Sequence, residues 1–295
     1  MILQFTKMHG CGNDFIVIDG IHQDLSQIST AQWQFLADRH FGIGADQILL
    51  VENSSLKEVD FKYRIINHDG TEVEQCGNGS RCFVRFVREK ALSNKKLLRV
   101  EVRHAVLTLQ EFDNGLVEVN MGKPILTHNE IPFEPGHSPQ KTSGHINLYQ
   151  LIDSPVPEKT PIWISTLSMG NPHAVIIVDS CQDTPVLEYG PIIEHHPAFI
   201  KRVNVGFMEI LTRHEINLRV FERGSGETLS CGTGACAAAV SGILQNLLDS
   251  PVTVNTRGGV LNIYWDFMNQ GQSAEVFMTG PAKTVFDGKI SLPEI

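Results

Sequence analysis

The 295-residue sequence predicts an α+β fold of two pseudo-symmetric repeat domains. Each is expected to be a mostly antiparallel, curved β-sheet, a barrel or roll, around one central α-helix. Three observations lead there. Landmarks of the first half return in the second at a nearly constant offset. Each half is built from short apolar runs of strand length. Each also holds one apolar run of helix length that begins just after a cysteine and two glycines.

The repeat is carried by residues in matching order. Gly12-Asn13-Asp14-Phe15 is answered by Gly170-Asn171-Pro172-His173, 158 residues on, and Asp46-Gln47 by Val203-Asn204, 157 on. Arg64 corresponds to Arg219 and Cys76 to Cys231, both 155 on. Arg103 and Arg257 follow, and the halves close on Gly122-Lys123-Pro124 and Gly280-Pro281. One such match is noise, but several in one order are not. The expected domains are therefore 1–125 and 160–285, each of ordinary domain size. Between them, 126–159 reads as a proline-rich linker, since Thr127 to Pro161 holds six of the fourteen prolines. His145–Ile152 is a candidate extra strand within it, and the C-terminal tail is expected to pack on the N-terminal domain.

Along the first half, strands are expected at Leu3–Thr6, Phe15–Ile18, Gln47–Val51 and Lys62–Ile66, then a helix from Ser80 to about Lys90. Strands Leu98–Arg103, Val106–Phe112 and Val117–Met121 follow, with Asp113-Asn114-Gly115 as a hairpin turn. The second half predicts strands Trp163–Ser165, Ala174–Val178, Val205–Leu211 and Ile216–Phe221, then a helix from about Gly234 to Leu248. Ala235 to Ala239 is small and uncharged, so this helix should be buried nearly all round.

Composition narrows the function. Apolar residues at 42% and charged residues at 19% describe a globular chain. A formal charge of -9 argues against nucleic-acid or anionic-membrane binding. No apolar run approaches the ~20 residues that span a bilayer. The start, MILQFTKMHG, reads as a strand and not as a signal peptide, so a cytoplasmic location is expected. Six cysteines are too few for a disulfide scaffold and lack metal-knuckle spacing, so a special one would be catalytic before metal-binding.

Cys76-Gly77-Asn78-Gly79 and Cys231-Gly232-Thr233-Gly234 each place a thiol where a helix begins. The unpaired N–H groups and positive dipole end of a helix stabilise anions, including a thiolate and a carboxylate. The neighbouring glycines would let a ligand approach the backbone. In facing repeats the two thiols would flank one carbon, one removing a proton and the other delivering one to the opposite face. That is the requirement of racemisation or epimerisation, with the helix N–H groups holding the developing enediolate.

The stretches HGCGNDFIVID, GADQ, NHDGTEVEQCGNG, GNPH, VNVGF and FERGSGETLSCGTGACA resemble the diaminopimelate epimerase family from Phe5 to Pro281. The resemblance implies a pyridoxal-phosphate-independent isomerase, without cofactor or metal, that interconverts LL- and meso-2,6-diaminopimelate for lysine and peptidoglycan synthesis. It implies a small-molecule amino-acid substrate and leaves room for a homodimer. It makes Cys76 and Cys231 the catalytic pair and the backbone of Gly77, Asn78, Gly232 and Thr233 the carboxylate cradle. Asn13, Gln47, Asn67, Asn171, Asn204, Glu222 and Arg223 become substrate contacts, with His173 and Glu222 as candidate helpers. The residue chemistry fits: Arg223 offers a planar fork to a distal carboxylate, and Glu222 can meet an ammonium.

Other readings bear on the same residues. A related two-cysteine racemase of proline or hydroxyproline would share the thiols but not need Arg223 and the full asparagine set. A redox protein cycling a Cys76–Cys231 disulfide is another class, and a non-catalytic binding protein a third, with no reason to keep both thiols. Cys82 and Cys236 fall inside the helices as small hydrophobes, and Cys11 and Cys181 read as structural, with Cys11 close to Asn13. His195-His196 lacks spaced metal partners and reads as a surface loop. Asn13 and Asn171 could be turn residues, but their matched placement favours ligand contact.

Overall fold

The computed structural model describes residues 1–73, 77–103, 105–151 and 162–294. They form two compact units, Met1–Asn120 with Thr279–Ile295, and Met121–Met278.

The first unit runs β1 (Ile2–Gly10), β2 (Asn13–Asp19), α1 (Thr30–Ala37), β3 (Gln47–Glu52), β4 (Phe61–Asn67), β5 (Glu72–Val73), α2 (Gly77–Glu89), β6 (Leu97–Val102), β7 (Ala105–Glu111) and β8 (Val117–Asn120). Pairing is antiparallel for β1–β2, β3–β4, β4–β5, β6–β7 and β7–β8. It is parallel for β2–β3 and β4–β6, the two places where a helix makes the crossover that parallel strands require. The expected Asp113–Gly115 turn joins β7 to β8, with Gly115 at φ 78°. The C-terminal strand Lys283–Ser291 pairs antiparallel with β1, so the tail packs on the first unit.

Helices cover both faces of β2, β3 and β4, which explains why Phe15–Ile18 and Ile48–Val51 read as unbroken apolar runs. On one face Ile16, Ile18, Ile48, Leu50 and Ile66 pack with Trp33, Leu36 and Ala37 of α1. On the other, Phe15, Leu49 and Tyr63 approach Gly79 of α2 so closely that an added Cβ would lie 2.3 Å from the Tyr63 hydroxyl.

The second unit repeats this order: β9 (Gln140–Ser143), β10 (Ile146–Gln150), β11 (Trp163–Ser168), β12 (Pro172–Ile177), α3 (Val186–Glu194), β13 (Asn204–Thr212), β14 (Glu215–Glu222), β15 (Gly226–Thr228), α4 (Gly232–Leu244), β16 (Val252–Thr256), β17 (Gly259–Trp265) and β18 (Val276–Gly280), whose last two residues count with the first unit. Its β12–β13 and β14–β16 pairs are parallel and its β11–β12, β13–β14, β14–β15 and β16–β17 pairs antiparallel. Strand for strand this is the first unit's pattern. β10 lies antiparallel beside β11 as the C-terminal strand, β19 (Lys283–Ser291), lies beside β1.

That equivalence bears on the segment expected as a linker, 126–159. It carries β9 and β10, its Ile131, Phe133, Tyr149 and Leu151 join the core around α3, and it belongs to the second unit. Proline content suggested a connector, whereas this stretch supplies β9 and β10, which pair with each other and, through β10, with β11. The expected strand His145–Ile152 is β10, shorter at both ends. Residues 152–161 lie outside the described residues.

α4 is buried nearly all round, as expected. Ala235, Ala237, Ala238 and Ala239 are inaccessible, and the helix touches β11, β12, β13, β14, β16 and β17. Its polar residues point inward as well: Ser241 Oγ lies 2.6 Å from Ser165 Oγ of β11 and accepts from Gln245 Nε2 at 3.1 Å. The helix ends at Leu244, four residues before the expected stop. Asn246 turns left-handed at φ 60°, and Leu247 and Leu248 N–H groups fold back to the Gly242 carbonyl. Both central helices start earlier than expected, at Gly77 and Gly232, because the glycine loops are their first turns.

Among the described residues, two helices of eight or more residues were not anticipated. α1 is short, although Ser29 and Gln32 form a capping box. α3 contains Pro191, which removes a helical donor and hides its periodicity.

An Ala238→Leu variant should be destabilised by about 1–3 kcal/mol, since added methylenes in a close-packed site force strain. A urea midpoint equal to wild type would show that space exists beside α4.

Candidate active site

In each unit the expected site residues gather where strand ends meet the first turn of the buried helix. In the first unit, Asn13 opens β2 and Gln47 opens β3. Asn67 closes β4 directly opposite Gln47, and Gly77 and Asn78 begin α2. Gln47 Nε2 donates to Asn67 Oδ1 at 2.9 Å. Gln47 Oε1 is buried with no partner among the described residues. A buried acceptor left unpaired costs about 1–3 kcal/mol, so this atom is set to receive a donor. Asn78 Nδ2 donates to Asn13 Oδ1 at 3.3 Å, and Asn13 Nδ2 to Asp46 Oδ2 at 2.8 Å. Cys76 lies outside the described residues.

A charge network stands behind this group. Arg39 forks onto both Asp14 oxygens at 2.7 and 3.0 Å and reaches Asp46 Oδ1 at 2.7 Å. Lys7 bonds Asp14 at 2.6 Å and the Gly44 carbonyl. Burial alone would raise the Asp14 pKa, but hydrogen bonds from Arg39 and Lys7 prevail and hold the carboxyl well below the usual range. Sequence reasoning missed these four residues. Asp14 and Asp46 do lie within the GND and GADQ motifs, next to the residues they support.

In the second unit Asn171 precedes β12, Asn204 opens β13 opposite His173, and Glu222 closes β14 with Arg223 following. Asn204 staples these ends, its Nδ2 donating to the Pro172 carbonyl at 2.9 Å and its Oδ1 accepting from the Arg223 N–H at 3.0 Å. Arg223 Nη1 bonds the Lys201 carbonyl at 3.1 Å, and the next N–H, of Gly224, is held at 2.9 Å by the buried carboxylate of Glu194. His173 Nε2 lies 2.9 Å from Asn171 Oδ1. An amide oxygen only accepts, so the ring proton sits on Nε2. Burial first, and the Arg223 charge second, push the pKa of His173 down to about 3. The ring is therefore neutral near pH 7 and orients Asn171.

Cys231 is the N-cap of α4, with Gly232 and Thr233 opening the helix. Its Sγ accepts from the Gly234 N–H at 3.4 Å and lies 3.5 Å from Thr233 Oγ1. The sequence suggested a lowered thiol pKa at a helix mouth, but the direction here is well upward. Burial contributes most, followed by the negative charge of Glu222; the Thr233 and Gly234 hydrogen bonds only partly oppose them. Glu222 is in turn held by Thr228, whose Oγ1 donates to Oε1 at 2.5 Å. Cys231 thus rests as a thiol, a proton donor.

The second glycine of each loop serves packing more than ligand approach. A Cβ on Gly79 would strike Tyr63, and one on Gly234 would sit 3.0 Å from Val220 and 3.3 Å from Cys231 Sγ.

The remaining cysteines behave as structural residues. Cys82 and Cys236 are fully buried, and burial pushes the Cys181 pKa up to about 11 while its thiol donates to the Phe207 carbonyl at 3.2 Å. Cys11 is buried at φ 54° beside Arg81. The His195-His196 reading needs correction. His195 caps α3 and is exposed, but His196 is buried, its Nδ1 accepting from the Ala198 N–H in the turn that ends the helix. Among the described residues no His, Cys, Asp and Glu group is placed to hold a metal ion, and no helix is long and apolar enough to cross a membrane.

Solved structures share the fold. A PhzF-family phenazine biosynthesis protein from Bacillus anthracis matches with a TM-score of 0.69 at 18% identity, covering 99% of each chain. A probable proline racemase from Agrobacterium radiobacter also reaches 0.69, at 15% identity over 99% of this chain and 93% of the other. At such identities the likeness establishes the duplicated fold alone. The diaminopimelate epimerase profile matches residues 5–127 and 165–285. Proteins named diaminopimelate epimerase from Cupriavidus taiwanensis and Ralstonia pickettii are 57% and 54% identical over 292 residues, 99% of this chain and 98% and 97% of theirs. The chain belongs to the diaminopimelate epimerase family.

Replacing Glu222 with Gln removes the charge that opposes the Cys231 thiolate, so the thiol pKa should fall. The pH dependence of peptide-resolved Cys231 alkylation should then move to lower pH than in wild type. An unmoved or upward-moved profile would show that Glu222 does not control this thiol.

Proposed function

We propose that the chain is an epimerase interconverting LL- and meso-2,6-diaminopimelate, with Cys76 and Cys231 as the acid–base pair. Family membership supports the substrate, and the observation that carries the chemistry is the buried Cys231 thiol at the N-cap of a buried helix, with the Glu222 carboxylate near it. One cysteine removes the α-proton as thiolate, and the other returns a proton to the opposite face of the same carbon. Each turnover leaves the roles exchanged, which suits a reaction whose reverse uses the other face.

Proton loss turns the α-carboxylate into an enediolate. The first-turn N–H groups of Gly232 and Thr233, and of Gly77 and Asn78, are the donors for it, aimed without reorganisation at the charge that develops. Glu222 meets the ammonium at the reacting centre. Pairing with that cation weakens the field that holds Cys231 protonated, so substrate binding itself moves the thiol toward its reactive range. Arg223 takes the distal carboxylate with Asn171, Asn204 and Asn67. The orphan Gln47 Oε1 accepts an N–H from the substrate, and Asn13 lies beside it. The product serves lysine and peptidoglycan synthesis, in the cytoplasm.

The proline or hydroxyproline racemase alternative shares the fold but has no use for Arg223 and a second set of amino-acid contacts. Purified, reduced protein incubated in deuterated water with LL-diaminopimelate and a chelator should form the meso isomer with one solvent deuterium at the inverted α-carbon. The same preparation should leave L-proline unchanged. Racemised proline with untouched diaminopimelate would overturn the assignment.

A further inference from the structure

Three amide hydrogen bonds in the first unit form a directed chain. Arg81 Nη2 donates to Asn78 Oδ1 at 2.9 Å, Asn78 Nδ2 to Asn13 Oδ1 at 3.3 Å, and Asn13 Nδ2 to Asp46 Oδ2 at 2.8 Å. A side-chain amide can point either way, because its oxygen and nitrogen have the same shape and opposite hydrogen-bonding sense. The two ends of this chain remove that freedom. Arg81 can only donate and is wholly buried, its Nε fixed at 3.1 Å on the Pro281 carbonyl. Asp46 is an acceptor whose oxygens meet only donors here: Arg39 on Oδ1, and the Asn13 amide and Asp14 N–H (3.2 Å) on Oδ2.

We infer that Arg81 and Asp46 are positioning residues for the epimerase reaction, fixing from opposite ends which atom of Asn78 and of Asn13 each amide presents. The inference rests on the functional reading above, in which the Asn13 side chain contacts the substrate and Asn78, whose amide holds Asn13, offers its backbone N–H. Neither end touches the substrate. Reversing either amide would put like against like at a neighbouring link, and reversing both would set donor against donor at Arg81 and acceptor against acceptor at Asp46.

Asp46→Asn tests this with little change of shape at a half-exposed position. An asparagine there can oppose an oxygen to Arg39 or to Asn13, but not to both. With its oxygen toward Arg39, its NH2 meets the Asn13 NH2, and Asn13 must turn over or lose its bond. The measurement is kcat and KM with LL- and meso-diaminopimelate, with thermal midpoints, for wild type, Asp46→Asn, Asn13→Ala and the double variant. Asp46→Asn should lose about 10- to 100-fold in kcat/KM, the scale of a misplaced contact. Because Asp46 acts through Asn13, the double variant should be no worse than Asn13→Ala alone, while any change in thermal midpoint should still appear in both backgrounds.

Arg81→Lys keeps a donor and should retain more activity than Arg81→Met. If neither Arg81 variant folds, the Asp46 cycle still decides. Wild-type kcat/KM in Asp46→Asn, or a loss that multiplies with that of Asn13→Ala, overturns the inference. Wild-type protein inactive on both isomers would instead sink the functional reading.

Discussion

A helix buried on every side must send the N–H groups of its first turn to protein or to ligand, because water does not reach them. In α4 the Cys231 sulfur takes one of those groups, at Gly234. That constraint shapes much of the second unit. It calls for alanines where six strands crowd the helix, for a glycine where Val220 approaches, and for a thiol at the cap. The same needs govern the first unit, where Gly79 admits the Tyr63 hydroxyl and Gly77 and Asn78 begin α2.

Electrostatics then set the state in which the site waits. Burial and Glu222 keep Cys231 protonated, although the helix end alone would favour thiolate. The desolvation of a fully buried sulfur outweighs the partial charge of the helix. In the proposed reaction one thiol must be protonated and the other not, and a resting thiol whose opposing carboxylate can be paired by a substrate ammonium would suit it. His173, kept neutral by burial and by the Arg223 charge, bonds the Asn171 amide.

Much of this was legible in the sequence. The repeat offset gave two like units, and the equivalence holds strand by strand down to the parallel pairs β2–β3 and β12–β13. The glycine–cysteine loops located both central helices. What escaped notice is physically intelligible. Pro191 masked α3, and in the proline-rich stretch the expected strand His145–Ile152 is β10 while its partner β9 was not foreseen. Asp14 and Asp46 work through hydrogen bonds to Arg39 and Asn13 that lie up to 33 residues away, and no periodicity announces those, while Arg81 bonds Asn78 one helical turn back. The Cys231 pKa is raised first by burial in the folded core and then by Glu222, nine positions upstream and brought near by the β14–β15 hairpin, and neither can be read from the loop itself.

The claim at the centre of this account is that two thiols serve opposite faces of one carbon. It is tested most directly by the rate of α-proton exchange into deuterated water for Cys76→Ala and Cys231→Ala, each with pure LL- and pure meso-diaminopimelate. Both variants should lose epimerisation by several orders of magnitude. Any slow exchange without inversion that remains should favour opposite isomers in the two variants. Epimerisation near the wild-type rate in either one would contradict the account, because a single base would then suffice.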